Sequence, residues 1–226
     1  MGKLIMLELH KIKLRNWLIC AIIANLLISL WVSTNLPDEA VKSYLEAFYS
    51  IRSYVEITFI VFSSVLLSKL FLDEYKNRTI SVLFTYPVPR HHILIAKLIL
   101  FCLFSFLTAL LSNGFVAAFF LFVDSQRSFI AEPLTLLMLR EEFFRIVINS
   151  ISVVGLGIIP LYIGLIRKSV PAFMVCSMFL ALMFGSTHDE SGNNWSAAIS
   201  IAMFCLVLGM ISAIVSIRKV IREDIM

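Results

Sequence analysis

Charged residues are scarce in this chain. They make up 15% of its 226 residues, whereas residues of the hydrophobic class make up 60%. Soluble domains usually carry about 25% charged residues and are about half apolar. One soluble core could not bury this much apolar surface. The composition therefore excludes a soluble globular domain and predicts an integral membrane protein.

A nucleotide-binding P-loop is also missing. The sequence contains no G-x-x-x-x-G-K-[ST] motif, and its only Gly-Lys pair, Gly2-Lys3, is followed by leucine. A P-loop needs its glycines, lysine and hydroxyl residue together to hold phosphates and Mg²⁺. We therefore expect no ATP hydrolysis by a P-loop of this chain. We also expect no catalytic residue and no cofactor of its own.

Cysteine and histidine, the commonest ligands of transition metals, number four each. The cysteines all fall inside apolar runs with no C-x-x-C pair, which predicts packing side chains rather than a disulfide or metal framework. His91 and His92 are adjacent and diverge on a helix, and no third ligand is near them. We therefore expect no metal site.

Long apolar runs are what the chain has in abundance. About 20 mostly apolar residues are needed for a helix to cross the hydrocarbon core. The sequence predicts an all-α membrane protein in which residues 1–226 form a single transmembrane domain with six transmembrane helices. The six spans are 17–34, 53–72, 93–123, 143–166, 170–186 and 195–217.

Several segments around these spans carry more local predictions. Residues 1–16 have apolar residues on one stripe flanked by Lys and Arg, which indicates an interfacial helix, and no cleavable signal peptide is expected. Residues 129–140 suggest a second interfacial helix, on the outer side. Span three is long enough to tilt or to break near Asn113-Gly114. Pro171 suits a helix start, and Gly155-Leu156-Gly157 ahead of Pro160 predicts a kink or a flexible point in span four.

The distribution of basic residues predicts the orientation. With the N-terminus inside, 14 of the 19 lysines and arginines lie in inner segments and five in outer segments. Cytoplasmic loops are the ones enriched in Lys and Arg. We therefore expect a multi-pass protein of the cell membrane with both termini cytosolic. The basic residues are dispersed in short clusters between the apolar runs, so the net charge of +4 does not predict nucleic acid as a partner.

Charges within the predicted spans are few and lie near the ends of those spans. Glu56 and Arg145 fall near the outer ends of spans two and four, and Lys69 near the inner end of span two. Side chains at such positions can reach the membrane surface at little cost. The absence of a carboxylate near the middle of a predicted span speaks against an ion-driven carrier. Asn25, Asn113 and Asn149 leave that alternative open.

One short motif raises the alternative of an intramembrane enzyme. The sequence R-E-E-F-F-R (Arg140 to Arg145) resembles the E-E-x-x-x-R motif of CAAX-type intramembrane proteases. Here the second arginine comes one residue early, which turns it by about 100° on a helix. The four histidines fall in cytosolic or outer segments on the predicted map. A charged helix start at the outer surface is therefore favoured over a protease site.

The largest predicted cytosolic loop, residues 73–92, concentrates the polar residues of the chain. It lies within F-L-D-E-Y-K-N-R-T-I-S-V-L-F-T-Y-P-V-P-R-H-H-I-L-I-A-K, residues 71–97. This stretch resembles the cytosolic coupling segment of ABC-2 type transporter permeases, between their second and third spans. An acidic and basic run, a threonine, a short amphipathic helix, a proline turn with arginine and a lysine follow in the same order. The matching positions are Asp73, Glu74, Lys76, Arg78, Thr79, Val82, Phe84, Tyr86, Pro87, Pro89 and Arg90, followed by Ala96-Lys97.

The resemblance implies a membrane subunit of an ATP-driven exporter, most similar to small permeases for bacitracin or lantibiotic resistance or peptide export. It implies two copies of a cytosolic ABC ATPase that binds ATP and Mg²⁺, a second permease subunit that is the same or homologous, and surrounding lipid. A hydrophobic or amphipathic substrate such as an antimicrobial peptide suits the apolar spans. The alternatives are a protease-like enzyme and a stand-alone immunity protein that sequesters a peptide.

Overall fold

The computed structural model describes residues 14–35, 43–76, 90–127, 130, 133–167, 169–185 and 195–223. These residues are built from helices, and no strand occurs among them. The helices are α1 (Leu14–Asn35), α2 (Tyr44–Lys76), α3 (Arg90–Arg127), α4 (Leu136–Ile158), α5 (Pro160–Arg167), α6 (Val170–Phe184) and α7 (Trp195–Glu223). The all-α prediction is therefore confirmed. Residues 1–13 of the predicted interfacial helix lie outside the described part, and residues 14–16 belong to α1.

Six apolar helices agree with the six predicted spans. Five are long and apolar enough to cross a membrane, namely Arg15–Asn35, Tyr44–Phe71, Leu94–Gln126, Leu136–Gly164 and Ala198–Arg218. The sixth, α6, has 15 residues and is about 22 Å long at 1.5 Å per residue, less than the ~30 Å hydrocarbon core. It starts with Pro171 in its first turn, as predicted, and ends before Gly185.

The helices on both sides extend into the predicted coupling loop, residues 73–92. α2 continues through Asp73 and Glu74 to Lys76, and α3 already begins at Arg90. Charged residues leave the backbone hydrogen bonds of a helix intact, so a helix does not have to end where the apolar run ends. The apolar stretches nevertheless end at Phe71 and start again at Leu94, on either side of 73–92, and residues 77–89 lie outside the described part.

The predicted outer interfacial helix at 129–140 is wrong. Residues 133–135 are not helical, and Leu136 to Arg140 form the start of α4. Thr135 caps this helix, since its hydroxyl oxygen accepts a hydrogen bond from the Met138 N–H. A capping threonine next to a continuous apolar run sets the start of α4 further out than hydropathy alone indicates.

The two predicted irregularities have different outcomes. α3 runs for 38 residues without a break at Asn113-Gly114, so the break is wrong and a single long helix is correct. Ahead of Pro160 the helix is interrupted, because α4 ends at Ile158, Ile159 is a turn and α5 begins at Pro160, although Ile159 keeps helical backbone angles. Proline has no N–H to donate to the preceding turn, which interrupts the helix at this point.

α2 and α4 form the centre of the bundle. In each of them 61% of the apolar stretch is buried, against 22% in α1 and in α7. α2 packs against α3, α4 and α6, and α4 packs against α3 and α7. Arg52, early in α2, contacts Glu142, early in α4, and Ser63, later in α2, contacts Gly157, later in α4. The two helices therefore run parallel.

The remaining contacts show that successive crossings alternate in direction. Tyr44 at the start of α2 meets Asp124 near the end of α3, and Lys97 near the start of α3 meets Leu70 near the end of α2. Trp17 at the start of α1 packs on Phe62 of α2. Following the predicted orientation, we name the end with Trp17 and Lys97 the inner end and the end with Tyr44 and Asp124 the outer end.

Glycines let α4 and α7 approach until their backbones touch. A Cβ added to Gly155 would lie 2.7 Å from the carbonyl carbon of Cys205, and one added to Gly209 would lie 2.6 Å from the Gly155 oxygen. Small residues allow such approach between membrane helices, where packing drives association. Gly155 and Gly209 are therefore the positions at which α4 and α7 pack most closely among the described glycines.

Gly155→Ala is expected to lower the stability of the protein by about 1–3 kcal/mol, because the added methyl group overpacks a backbone contact. Melting of the purified protein in detergent measures the effect. Gly114→Ala is the matched control, since nothing lies within 4 Å of its Cβ position and alanine favours a helix. Equal melting temperatures for the two variants would contradict the contact.

Candidate functional site

The predicted coupling residues divide between the described and the undescribed parts of the chain. Asp73, Glu74 and Lys76 lie on the last turns of α2, and Arg90 is the first residue of α3. Their side chains are outside the described set, as are Arg78, Thr79, Val82, Phe84, Tyr86, Pro87 and Pro89. The structure thus places both ends of the segment at the inner end of the bundle, between two helices that pack together.

A hydrogen-bonded chain of polar side chains crosses the middle of the bundle. Asn149 of α4 donates from Nδ2 to Oε2 of Glu56 on α2 at 2.7 Å. Asn113 of α3 donates from Nδ2 to Oδ1 of Asn149 at 3.3 Å. Exposure of all three residues is 2% or less. We call Glu56, Asn149 and Asn113 the central triad, and it links α2, α4 and α3.

The central triad lies at the centre of the apolar segments. Each of its members is within three residues, about 5 Å along a helix, of the midpoint of its apolar stretch. The prediction that Glu56 lies near the outer end of its span is therefore wrong, and so is the expectation of no mid-membrane carboxylate. The error came from the span limits: α2 begins at Tyr44, nine residues before the predicted 53–72.

An ion pair lies one turn further out. Arg52 of α2 donates from Nη1 to Oε2 of Glu142 on α4, and both side chains are buried. Arg145, one turn along α4, interacts electrostatically with both partners. A charge buried in a membrane domain is costly unless it is paired, so this contact fixes how α2 and α4 face each other.

The engagement of Glu142 also bears on the protease alternative. Its carboxylate is bound to Arg52, while the adjacent Glu141 is half-buried on a different face of α4. Among the described side chains, no three His, Cys, Asp or Glu lie close enough to hold a metal ion. The histidine side chains are not among them. Glu142 therefore has a structural partner in Arg52.

The outer ends of α2 and α3 are joined by a tyrosine and an aspartate. The Tyr44 hydroxyl donates to Oδ2 of Asp124 at 2.7 Å, and the Ile130 N–H donates to Oδ1 of the same carboxylate at 3.3 Å. Tyr44 and Asp124 are both buried. One carboxylate thus ties α2, α3 and the connection to α4 together.

At the inner end, two lysines lie in different environments. Lys97 of α3 is 1% exposed and donates from Nζ to the carbonyl oxygen of Leu70 at 3.1 Å. Lys69 of α2 is exposed, and its Nζ lies 5.2 Å from the ring centroid of Trp17. This cation–π contact attaches the start of α1 to α2.

An apolar groove of about 420 Å³ lies between α3, α4 and α7, away from these polar contacts. The side chains around its opening are exposed and apolar, as expected for a surface that faces hydrocarbon. The groove is lined by Leu98, Ile99, Cys102, Leu103, Phe106, Ile151, Val154 and Leu206.

Comparison with known proteins identifies the family. The model of the ABC-2 family transporter proteins matches residues 4–183, about four fifths of the chain. The chain belongs to the ABC-2 transporter family. It is also similar to a Bacillus subtilis (strain 168) protein that carries the name "Uncharacterized protein YcbO". The two are 34% identical over 227 residues, which cover 98% of this chain and 99% of the relative. No solved structure shows a significant match.

Family membership confirms the predicted resemblance. An ABC-2 permease is the membrane component of a transporter, has no ATPase of its own and generally works with a cytosolic ATPase. The matched residues include the predicted coupling segment and the helices on both sides of it. The chain is therefore a multi-pass membrane permease subunit.

Sequence reasoning missed most of the polar contacts inside this permease. Arg52, Glu142, Tyr44 and Asp124 were not singled out as a buried set. One signal was available: Arg52 and Glu56 are four residues apart, so they share a helix face. Glu142, Arg145 and Asn149 share a face of α4 for the same reason.

Proposed function

We propose that this permease is the membrane subunit of an ATP-driven exporter of hydrophobic or amphipathic compounds, with antimicrobial peptides as the leading substrate class. Two ATPase subunits would bind on the cytosolic side and a second permease, the same or homologous, would complete the transporter. Family membership over residues 4–183 is the observation that carries this proposal. Both termini are proposed to be cytosolic, because the basic residues concentrate on that side.

The faces that a second membrane subunit would cover are proposed to lie on α1 and α7. α1 and α7 bury only 22% of their apolar stretches within the chain. Their exposed residues include Leu27, Trp31 and Leu30 on α1 and Met203, Phe204 and Met210 on α7, all with more than half of their surface exposed. Lipid or a partner subunit can cover such faces in a membrane, and cross-linking through single cysteines on α1 and α7 distinguishes the two.

The coupling segment is proposed to dock the ATPase. Glu74, Lys76 and Arg78 would form a polar rim around Val82 and Phe84, and Pro87 and Pro89 would stiffen the return to α3. Interfaces commonly combine an apolar centre with a charged rim in this way. The inner ends of α2 and α3, which pack on each other, would receive the movement of the ATPase subunits.

Charge reversal tests this docking surface. Glu74→Lys and Arg78→Glu are each expected to reduce the ATPase captured with the tagged permease at least tenfold, since reversed charges at an interface repel. Capture from membranes in mild detergent gives the readout. Arg218→Glu is the control, because Arg218 is exposed near the inner end of α7, outside the segment. Undiminished capture by both segment variants would rule out docking at these residues.

Cell growth tests the proposed substrate class. Cells that produce the permease and its ATPase are challenged with nisin or bacitracin and compared with cells that produce either subunit alone. Protection that requires both subunits supports export. Protection by the permease alone favours the stand-alone immunity protein, and no protection against either peptide excludes these peptides as substrates.

A further inference from the structure

Lys97 lies in an unusual position for a lysine of a membrane helix. It is the eighth residue of α3, near the inner end of the bundle, yet only 1% of its surface is exposed. Its Nζ donates to the carbonyl oxygen of Leu70 on α2 at 3.1 Å. Leu70 belongs to a buried apolar cluster of α2 and α3 that also includes Phe71, Leu100 and Phe101.

The usual explanation for a lysine near a helix end does not fit. Such lysines extend their amine to the membrane surface, which satisfies the charge at little cost. Lys69 is exposed in this manner on α2. Lys97 instead is almost completely buried, so its ammonium group loses most of its hydration, and its amine donates to the Leu70 carbonyl oxygen of the neighbouring helix. Burial at that cost indicates a role in holding two elements together.

The hydrogen bond between Lys97 and Leu70 joins the two helices at the ends of the coupling segment. Leu70 and Lys97 are 27 positions apart, and the predicted segment lies entirely between them. The bond joins the last turns of α2 to the first turns of α3. It therefore sets the distance between the two points at which the segment enters the membrane domain.

We propose that Lys97 is a positioning residue that clamps the inner ends of α2 and α3, so that a displacement of the coupling segment moves both helices as a unit. This inference rests on the proposed function of the segment. Without the clamp, a push from the ATPase would spread the two helix ends apart and be absorbed there. With the clamp, α2 and α3 move together. The central triad and the Arg52–Glu142 pair then pass this movement to α4.

The clamp itself is tested on the permease without its partner. Spin labels are attached at Lys69→Cys and Ile99→Cys, exposed positions at the inner ends of α2 and α3, in a chain without its four native cysteines. Lys97→Met, which preserves length but not the donor, is expected to widen the distance distribution at least twofold. Lys97→Arg is expected to keep it narrow. An unchanged distribution in Lys97→Met overturns the proposal.

The functional consequence is tested on the complex with the captured ATPase. Lys97→Met is expected to capture as much ATPase as the native permease. It is also expected to lose at least four fifths of the change that the native permease causes in the rate of ATP hydrolysis. Lys97→Arg is expected to restore at least half of that change. A structural role alone would alter folding and capture together, whereas a positioning role separates capture from the hydrolysis rate.

The outcomes distinguish this inference from the function on which it rests. If the native permease captures no ATPase, the proposed function fails, and the spin-label distances still decide whether Lys97 clamps the helices. If the native permease captures ATPase and Lys97→Met affects its hydrolysis rate as the native chain does, only the Lys97 proposal fails. If Lys97→Met fails to fold even though Lys97→Arg folds, the distance between the spin labels at positions 69 and 99 is measured in the chain that keeps Lys97. In that case, a 69–99 distance that changes between nucleotide-free and ATP-bound complexes overturns the clamp, and a constant one supports it.

Discussion

Arg52→Met is expected to destabilise the permease by about 3–5 kcal/mol, because it leaves the Glu142 carboxylate buried without its guanidinium partner. Both side chains are less than a tenth exposed, so water cannot replace the lost contact. The change should appear as a large drop in melting temperature in detergent and as reduced accumulation in membranes. Arg145 also interacts with Glu142, so it reduces the loss of stability but does not abolish it.

A double variant separates the ion pair from other effects of the substitution. Arg52→Met combined with Glu142→Gln removes both charges and is expected to recover most of the lost stability, since a buried pair replaced as a whole is often neutral. Arg140→Met controls for loss of an exposed arginine at the start of α4 and should change stability by no more than about 0.5 kcal/mol. If the double variant is as unstable as Arg52→Met, the pair is not what stabilises this contact.

Glu56→Leu is expected to cost about 1–3 kcal/mol, because the Asn149 amide loses its hydrogen bond to the Glu56 carboxylate inside the bundle. Its expected effect on transport is larger than on folding, since the central triad is the connection between α2, α3 and α4 at mid-depth. ATP-dependent protection of cells should fall at least tenfold. Melting temperature and protection measured on the same variant provide the comparison.

The matched variant for this site is Glu56→Gln. Glutamine can still accept the hydrogen bond from Asn149 and carries no charge, so it is expected to keep most of the protection and to raise stability. Glu46→Leu, at an exposed position of the same helix, controls for loss of a carboxylate. Loss of protection by Glu56→Gln with a normal melting temperature would mean that the charge, and not the hydrogen bond, is required.

Hydropathy predicted the architecture of this permease because burial in lipid is a property of segments. Each apolar run of the sequence became a helix, since the backbone polar groups have no other partner in hydrocarbon. The interruption of the helix ahead of Pro160 was predictable for a local reason, the missing N–H of proline. The ends of the helices were not predictable from hydropathy. α2 extends beyond its apolar run to Lys76, and α3 starts before its apolar run, at Arg90.

The buried polar contacts needed more than local reasoning. Glu56 looked peripheral because the predicted span began at residue 53, whereas α2 begins at Tyr44. Helical spacing placed Arg52 and Glu56 on one face, yet it could not select Glu142 and Asn149, about 90 positions away, as their partners. The burial of Lys97 likewise depends on how α3 meets α2, which no short window of sequence contains.

The connections between α2, α3 and α4 occur at four depths. Lys97 with Leu70 lies at the inner end, the central triad in the middle, Arg52 with Glu142 one turn further out and Tyr44 with Asp124 at the outer end. Polar contacts between membrane helices average about 0.6 kcal/mol, so their contribution is geometric as much as energetic. They orient three helices relative to the segment proposed to receive the ATPase.

The central claim, a membrane permease driven by a separate ATPase, is tested most directly by capturing the tagged permease from native membranes in mild detergent. The captured material is analysed for a P-loop protein and for ATP hydrolysis. The account predicts a P-loop ATPase in amounts comparable to the permease, with a hydrolysis rate that differs from that of the ATPase alone. A permease that repeatedly purifies with no P-loop protein and no ATP hydrolysis would contradict it.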